Sequence, residues 1–413
     1  MRRSGYIFLA VCLVLVLVLW GCSRRKRSNP LDPLNPETGG RVQGVTVVSE
    51  RHTVYVDWYP VFMDAVSSYR VYRKTGNLEN LTLMAEVSSS RHEFEHSGAE
   101  YEKTYSYTVT AVAGDYESPG SDPVSITPGP LCFWVADRYG GVVARLSYDI
   151  GHWFFRSLFL PSPVDVAADT AGSSAWIIDR TGYVSKFTVR GEMVLQKSAL
   201  YLPLSLSYDH KNSRMWIVQD DGRMLTCFDT LVTPVKTYGD FSGIAAAAWS
   251  AEPAGCWVVD SAMHAIYFAT ETEKQRADLP VHIDRPVSAD LYRAENVLYV
   301  ADAGDVVRID LKDRTWLRVQ APGKISQMVC DQNTGDCWVY TPSTGEITRI
   351  APDGRITARF GGFEKVNSMV CDPSAQGVVV ADYARSKIIH MSGDGSVLNE
   401  SEHFSGPWAL AAE

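Results

Sequence analysis

Phe133-Trp-Val-Ala-Asp137, Ala175-Trp-Ile-Ile-Asp179, Met215-Trp-Ile-Val-Gln219, Cys256-Trp-Val-Val-Asp260, Leu298-Tyr-Val-Ala-Asp302, Cys337-Trp-Val-Tyr-Thr341 and Val378-Val-Val-Ala-Asp382 repeat one pattern along the chain. Their second residues, Trp134, Trp176, Trp216, Trp257, Tyr299, Trp338 and Val379, are spaced 42, 40, 41, 42, 39 and 41 positions apart. A fixed period of this length, with several short apolar runs per unit, predicts a β-propeller with one four-stranded blade per repeat. The marker rings read as packing between neighbouring blades, where large aromatics bury the most area. The Asp three places after five of the markers reads as a turn acceptor for backbone N–H groups.

A second run begins 13 residues ahead of a marker at Pro163, Pro203, Ile244, Pro286, Ile325 and Val366. These runs are the expected innermost strands. Runs such as Gly182-Tyr-Val-Ser-Lys-Phe187 and Glu346-Ile-Thr-Arg-Ile350 supply the third strand, and Asp353-Gly354 and Asp394-Gly395 supply hairpin turns to the fourth. Trp134 lacks an inner strand before it, while Pro407-Trp-Ala-Leu-Ala-Ala-Glu413 overlays Pro163-Val-Asp-Val-Ala-Ala-Asp169 position by position. The expectation is seven blades over 129–413, closed by a C-terminal strand that completes the first blade and hides its edge. These units resemble NHL-type and related seven-bladed propeller repeats, a resemblance that implies fold and leaves activity open.

Residues 41–128 alternate short strands: Val45-Thr-Val-Val48, Thr53-Val-Tyr-Val-Asp-Trp58, Tyr69-Arg-Val-Tyr-Arg73, Leu81-Thr-Leu-Met84, Tyr105-Ser-Tyr-Thr-Val-Thr-Ala-Val112 and Pro123-Val-Ser-Ile126. Strands at that spacing predict a β-sandwich. The segment resembles a fibronectin type III module, with Trp58 at the place of the second-strand core Trp and Tyr105 at the place of the tyrosine corner. The fold class is therefore all-β, a sandwich followed by a propeller. His92 and His96 fall on one face of a strand in this segment and read as surface decoration.

Arg2 and Arg3 precede an uncharged apolar run from Tyr6 to Trp20, then Gly21-Cys22. That is the layout of an export signal over 1–21, too short for a comfortable membrane span. Leu19-Trp20-Gly21-Cys22 resembles a bacterial lipobox, which implies lipidation of Cys22 and a cell-envelope location. Ser23 rather than Asp after the cysteine resembles the outer-membrane sorting pattern. Residues 22–40, rich in Pro and basic side chains, read as an extended, solvated tether.

Lys plus Arg number 39 against 48 acids, and removing the signal leaves 37 against 48, a net charge near −11. An acidic chain argues against nucleic acid as a partner. Six of the eight cysteines lie in the propeller. Cys330 and Cys337 should face each other across a hairpin, as two buried thiols or as a disulfide. The nine histidines form no metal-type pair, and no nucleophile elbow, P-loop or dinucleotide fingerprint is present. The sequence implies no cofactor and no metal.

Function in such a ring gathers on the face carrying the loops that enter the inner strands. Arg138, Tyr139, Arg180, His264, Arg285, Tyr383 and Arg385 are the candidate binding residues there. The third inner-strand positions, Asp165, Ser205, Ala246, Ser288, Gln327, Ser368 and Ala409, are small or polar and predict a narrow, wet channel. Mixed charge without a convergent acid–base set fits a monomeric, non-enzymatic module that binds a protein or glycan. The alternative is a metal-dependent hydrolase or lyase resembling propeller lactonases.

Overall fold

The computed structural model describes residues 27–76, 80–101, 103–372, 374 and 376–413. The export segment 1–21 and Cys22 lie outside the described residues. The described residues hold no helix, and the chain divides into two compact units, the larger built mainly from Thr127–Glu413 with Val48–His52 and Ala99–Glu102 added to it.

In the first unit Thr46–Glu50, Thr53–Asp57 and Glu93–Ser97 form a three-stranded antiparallel sheet. Thr82–Ser88, Ser68–Thr75, Tyr105–Ala113 and Tyr116–Glu117 form a second sheet in that order, with Val124–Ile126 also paired to Tyr105–Ala113. Alternation along these strands buries Val54, Val56, Val71, Tyr107 and Val109. Trp58 and Tyr105 are buried, and the Trp58 ring lies 5.4 Å from Tyr69.

Two expectations in this unit are corrected. Residues 29–40 are not an extended solvated tether. Leu31 and Asn35 are buried, the Asn35 side chain donates to the Asn29 carbonyl at 2.8 Å, and the Thr38 hydroxyl donates to Pro30 at 2.7 Å. The Asn and Asp side chains cap their own turns, which folds a proline-rich run compactly. His96 is not surface decoration. It is buried, with Nδ1 2.6 Å from the Tyr107 hydroxyl and Nε2 3.0 Å from Arg73. Burial, then the Arg73 charge, depress its pKa, so it is a satisfied core histidine.

The second unit holds seven four-stranded antiparallel sheets. Six of them are built from consecutive strands, the first being Pro163–Asp169, Ser174–Asp179, Tyr183–Thr188 and Met193–Ser198. The seventh has the order Trp153–Arg156, Val142–Leu146, Phe133–Asp137, Pro407–Ala412. Its last strand comes from the far end of the chain and pairs Leu410 with Val135 and Ala411 with Trp134. The first strands of successive sheets touch in a closed cycle, Pro407–Ala412 lying between Val366–Asp372 and Pro163–Asp169. Both faces of the second strands are covered, which is why they read as continuous apolar runs.

Trp134, Trp176, Trp216, Tyr299, Trp338 and Val379 are at most 2% exposed and sit in the clusters between sheets, whereas Trp257 is half-buried. The Asp residues after the markers are indeed turn acceptors. Asp137 accepts Ser405 and Gly406 N–H at 2.9 and 2.8 Å, Asp302 accepts Asp284 and Arg285, and Asp382 accepts Glu364 and Lys365. Each carboxylate thus ties the second strand of its sheet to the loop that leads into that same sheet's inner strand.

Inner strands are also stitched directly to one another. Leu206 N–H donates to Asp165, Trp249 N–H to Ser207, Cys330 N–H to Asp290 and Leu410 N–H to Ser368, at 2.8 to 3.1 Å. All but one of the seven side chains expected to line the channel are half-buried, Ala409 alone being buried. Two of them, Asp165 and Ser368, are spent on these stitches. Burial pushes the Asp165 carboxyl up to about 6 despite its two backbone donors, and raises that of Asp290.

Cys330 and Cys337 stand directly opposite each other in the expected register. Both are buried free thiols, and burial pushes both well up.

Candidate functional site

Arg138 and Tyr139 follow the second strand Phe133–Asp137, Arg180 follows Ser174–Asp179, and Tyr383 and Arg385 follow Gly377–Asp382. The Asp at the end of each strand holds the turn that presents them. The structure brings the first and last of these turns together. The Arg138 guanidinium lies 4.0 Å from the Trp408 ring centre, Tyr383 lies 5.7 Å from Trp408, and Tyr139 lies 5.5 Å from Tyr383. Lys365 sits 4.9 Å over the Tyr383 ring. Cations over aromatic faces gain about 0.5–2 kcal/mol each, so the rings and charges hold one another in place.

Tyr139 is 62% exposed at the edge of this cluster. Arg138 Nε donates to Ser162 Oγ at 3.3 Å, and the Arg180 N–H donates to the Ser162 carbonyl at 3.1 Å. Burial, then the Arg180 charge, lower the Arg138 pKa, and the Tyr139 phenol raises that of Tyr383. Arg385 points elsewhere on the rim, with Nη1 donating to the Gly362 carbonyl at 2.7 Å. Among the described residues no carboxylate lies within ion-pair distance of Arg138, Arg180, Lys365 or Arg385. Four unneutralised cations in an acidic protein are a local exception to its charge.

His264 and Arg285 form a separate group. His264 Nδ1 contacts the Asp284 carbonyl, and Arg285 Nε lies 3.6 Å from the Asp284 carboxylate. Arg285 borders a cleft of about 610 Å³ with Pro286, Ala303, Gly304 and Lys324. Among the described residues no contact joins this pair to the Trp408 cluster, so the seven candidates do not make one continuous patch.

Trp408 is the residue that sequence reasoning missed. It holds the second position of its inner run, where the other repeats carry Val164, Leu204, Ala245, Val287, Ser326 and Asn367. A lone aromatic ring at a position where no other repeat carries one was the available signal. Also missed is the third-strand residue opposite each marker, namely Arg145, Lys186, Cys227, Phe268, Arg308, Arg349 and His390. Three of these reach the acid ending the inner strand of their own sheet: Arg145 to Glu413 at 2.8 Å, Lys186 to Asp169 at 3.2 Å and His390 to Asp372 at 2.7 Å. Burial alone would raise the Asp372 pKa, but hydrogen bonds from His390, Ser374 and Tyr148 hold it below the usual range. These are structural ties across the marker ring. Among the described residues no group of three or more His, Cys, Asp and Glu side chains is arranged to hold a metal ion.

No protein-family model matches the chain, and no curated protein matches it. Solved structures do resemble it. A functionally unknown protein from Desulfotomaculum acetoxidans DSM 771 superposes with a TM-score of 0.59 at 11% identity, covering 68% of this chain and 98% of that one. A candidate 6-phosphogluconolactonase from Bacteroides uniformis ATCC 8492 gives 0.56 at 11% identity, over 68% and 99%. The β-propeller domain of Myceliophteria thermophila Cps50 (Swd1) gives 0.52 at 12% identity, over 60% and 88%. At such identities the likeness is one of fold. The chain carries a β-propeller.

Proposed function

We propose that this protein is a non-enzymatic binding module. The cyclic run of seven four-stranded sheets supports a seven-bladed propeller, and buried Trp58 and Tyr105 support a fibronectin type III-like module before it. In this reading the chain is exported and lipid-anchored at Cys22 in the cell envelope, on the outer membrane. The propeller presents its inner-strand entry face to a protein or glycan. The observation that carries the reading is the Arg138–Trp408–Tyr383–Tyr139 cluster with its unneutralised cations. Tyr, Trp and Arg supply most binding energy at interfaces, because they bury large area and still hydrogen-bond at their tips. A lactonase-like alternative needs axial metal ligands, and among the described residues no three or more His, Cys, Asp and Glu side chains gather to hold a metal ion.

The test is capture of an envelope partner by the lipid-free protein. Arg138→Ala with Tyr139→Ala and Tyr383→Ala should abolish capture, whereas removing residues 41–128 should leave it intact. The reverse pattern would assign recognition to the first module. For the anchor, Cys22→Ser should abolish fatty-acid labelling, and a variant still labelled would refute lipidation there.

A further inference from the structure

The far ends of the inner strands carry a second cluster of polar side chains. Counted from Pro203, Ile244, Pro286 and Ile325, the eighth positions of four successive repeats are His210, Ala251, Arg293 and Gln332. Ala251 interrupts a row of long polar side chains. The gap it leaves opens into a cavity of about 510 Å³ lined by His210, Lys211, Trp249, Glu252, Arg293 and Gln332. That volume lies in the range of small-molecule sites, about 300–1,000 Å³.

The cavity is built around one ring. Trp249 is only 9% exposed, with the His210 ring edge-on at 5.0 Å and the Arg293 guanidinium 4.2 Å from its centre. Arg293 is fixed from behind. Its backbone N–H donates to Gln332 Oε1 at 3.2 Å, Gln332 Nε2 donates to the Leu291 carbonyl at 2.9 Å, and Arg293 Nη1 reaches the same carbonyl at 3.4 Å. Among the described residues no carboxylate lies within 4 Å of this guanidinium, Nη2 makes no hydrogen bond to the protein, and Nε is buried without a partner. A guanidinium held over an indole, with Nη2 unused, offers donors to an anion entering the cavity. Lys211 adds a second cation, and exposed Glu252 is the one acid of the lining.

The geometry points to a binding site here for a small organic carboxylate with a flat apolar body. The flat body lies against the aromatic wall of His210 and Trp249, while the carboxylate takes Arg293 Nη2 and the Lys211 ammonium. This site lies at the opposite end of the inner strands from the Trp408 cluster and does not depend on the binding reading proposed for it.

Titration of the full chain with indole-3-carboxylate, followed by calorimetry, tests it. Binding should saturate at one site, and indole-3-carboxamide should bind at least tenfold more weakly. Arg293→Gln should weaken the carboxylate at least tenfold and Lys211→Gln several-fold, while Arg138→Gln at the other end leaves it unchanged. Lys211 is exposed, so its variant keeps the test open if Arg293→Gln fails to fold. Absence of saturable binding, equal affinity for the carboxamide, equal affinity for inorganic phosphate, or indifference to Lys211→Gln overturns the assignment.

Discussion

Arg145 is 2% exposed, and a guanidinium out of water is tolerated only with its charge matched and its donors filled. Glu413 supplies both, accepting Nε at 2.9 Å and Nη2 at 2.8 Å, and its carboxylate also takes the Trp134 indole N–H at 2.6 Å. Burial alone would lower the Arg145 pKa, but Glu413 holds it above the ordinary value. Arg145→Met strands that carboxylate and should lower stability by about 2–4 kcal/mol, read as a fall in chemical denaturation midpoint. Arg355→Met, at an exposed pair with Asp353, should leave the midpoint unmoved. Equal behaviour of the two variants would refute the structural role of Arg145. Asp165 makes a pH-dependent counterpart. Its folded pKa, about 6, lies above the ordinary 3.8, so the folded state holds the proton more tightly. Its contribution to stability is therefore full below about pH 4 and is lost as pH rises through 6. The stability of Asp165→Asn relative to the protein should climb by about 1–3 kcal/mol between pH 4 and 7. A difference that stays flat with pH would show that Asp165 is not perturbed.

At the scale of elements, the strands were legible and their side-chain ties were not. A second strand covered on both faces must be largely apolar, so Phe133–Asp137 and its equivalents announce themselves at a fixed period. The strand Pro407–Ala412 was legible because it repeats the pattern of Pro163–Asp169. The opposing cations escaped notice because Cys227, Phe268 and His390 break the run of Arg and Lys, so no charge motif survives. The Trp408 cluster escaped because closure brings together turns far apart in sequence, and spacing carries no sign of which loops meet. The compact 29–40 turn was misread from composition, since proline-rich runs look solvated until an Asn or Asp side chain is seen to cap them. The thiols offer an element-scale test. Burial pushes Cys132 and Cys227 up to about 12 and raises Cys330 and Cys337 well above the ordinary thiol value, so little thiolate exists at neutral pH. An alkylating reagent at pH 8 should leave all six thiols of the propeller unmodified until denaturant is added. Rapid native labelling, or a Cys330–Cys337 crosslink found by mass spectrometry under oxidising conditions, would contradict this state.

At the scale of the whole propeller, one strand carries the closure. Pro407–Ala412 pairs with Phe133–Asp137, touches the inner strands on either side, and donates Leu410 N–H to Ser368. Its lead-in is held by Asp137, and the residue after it satisfies Arg145 and Trp134. Deleting residues 407–413 removes all of these ties together and bares the Phe133–Asp137 edge, none of whose residues is exposed in the closed ring. The loss should reach several kcal/mol, about 10 °C or more in Tm for a unit of this size. An unpaired, largely apolar strand edge is also a template for other chains, so the shortened protein should associate in sizing chromatography at concentrations where the parent is monomeric. Supplying the seven residues as a free peptide should restore part of the Tm, because the groove it leaves is formed by the neighbouring strands. A truncated protein that melts like the parent and stays monomeric would mean that the six other sheets hold the ring unaided.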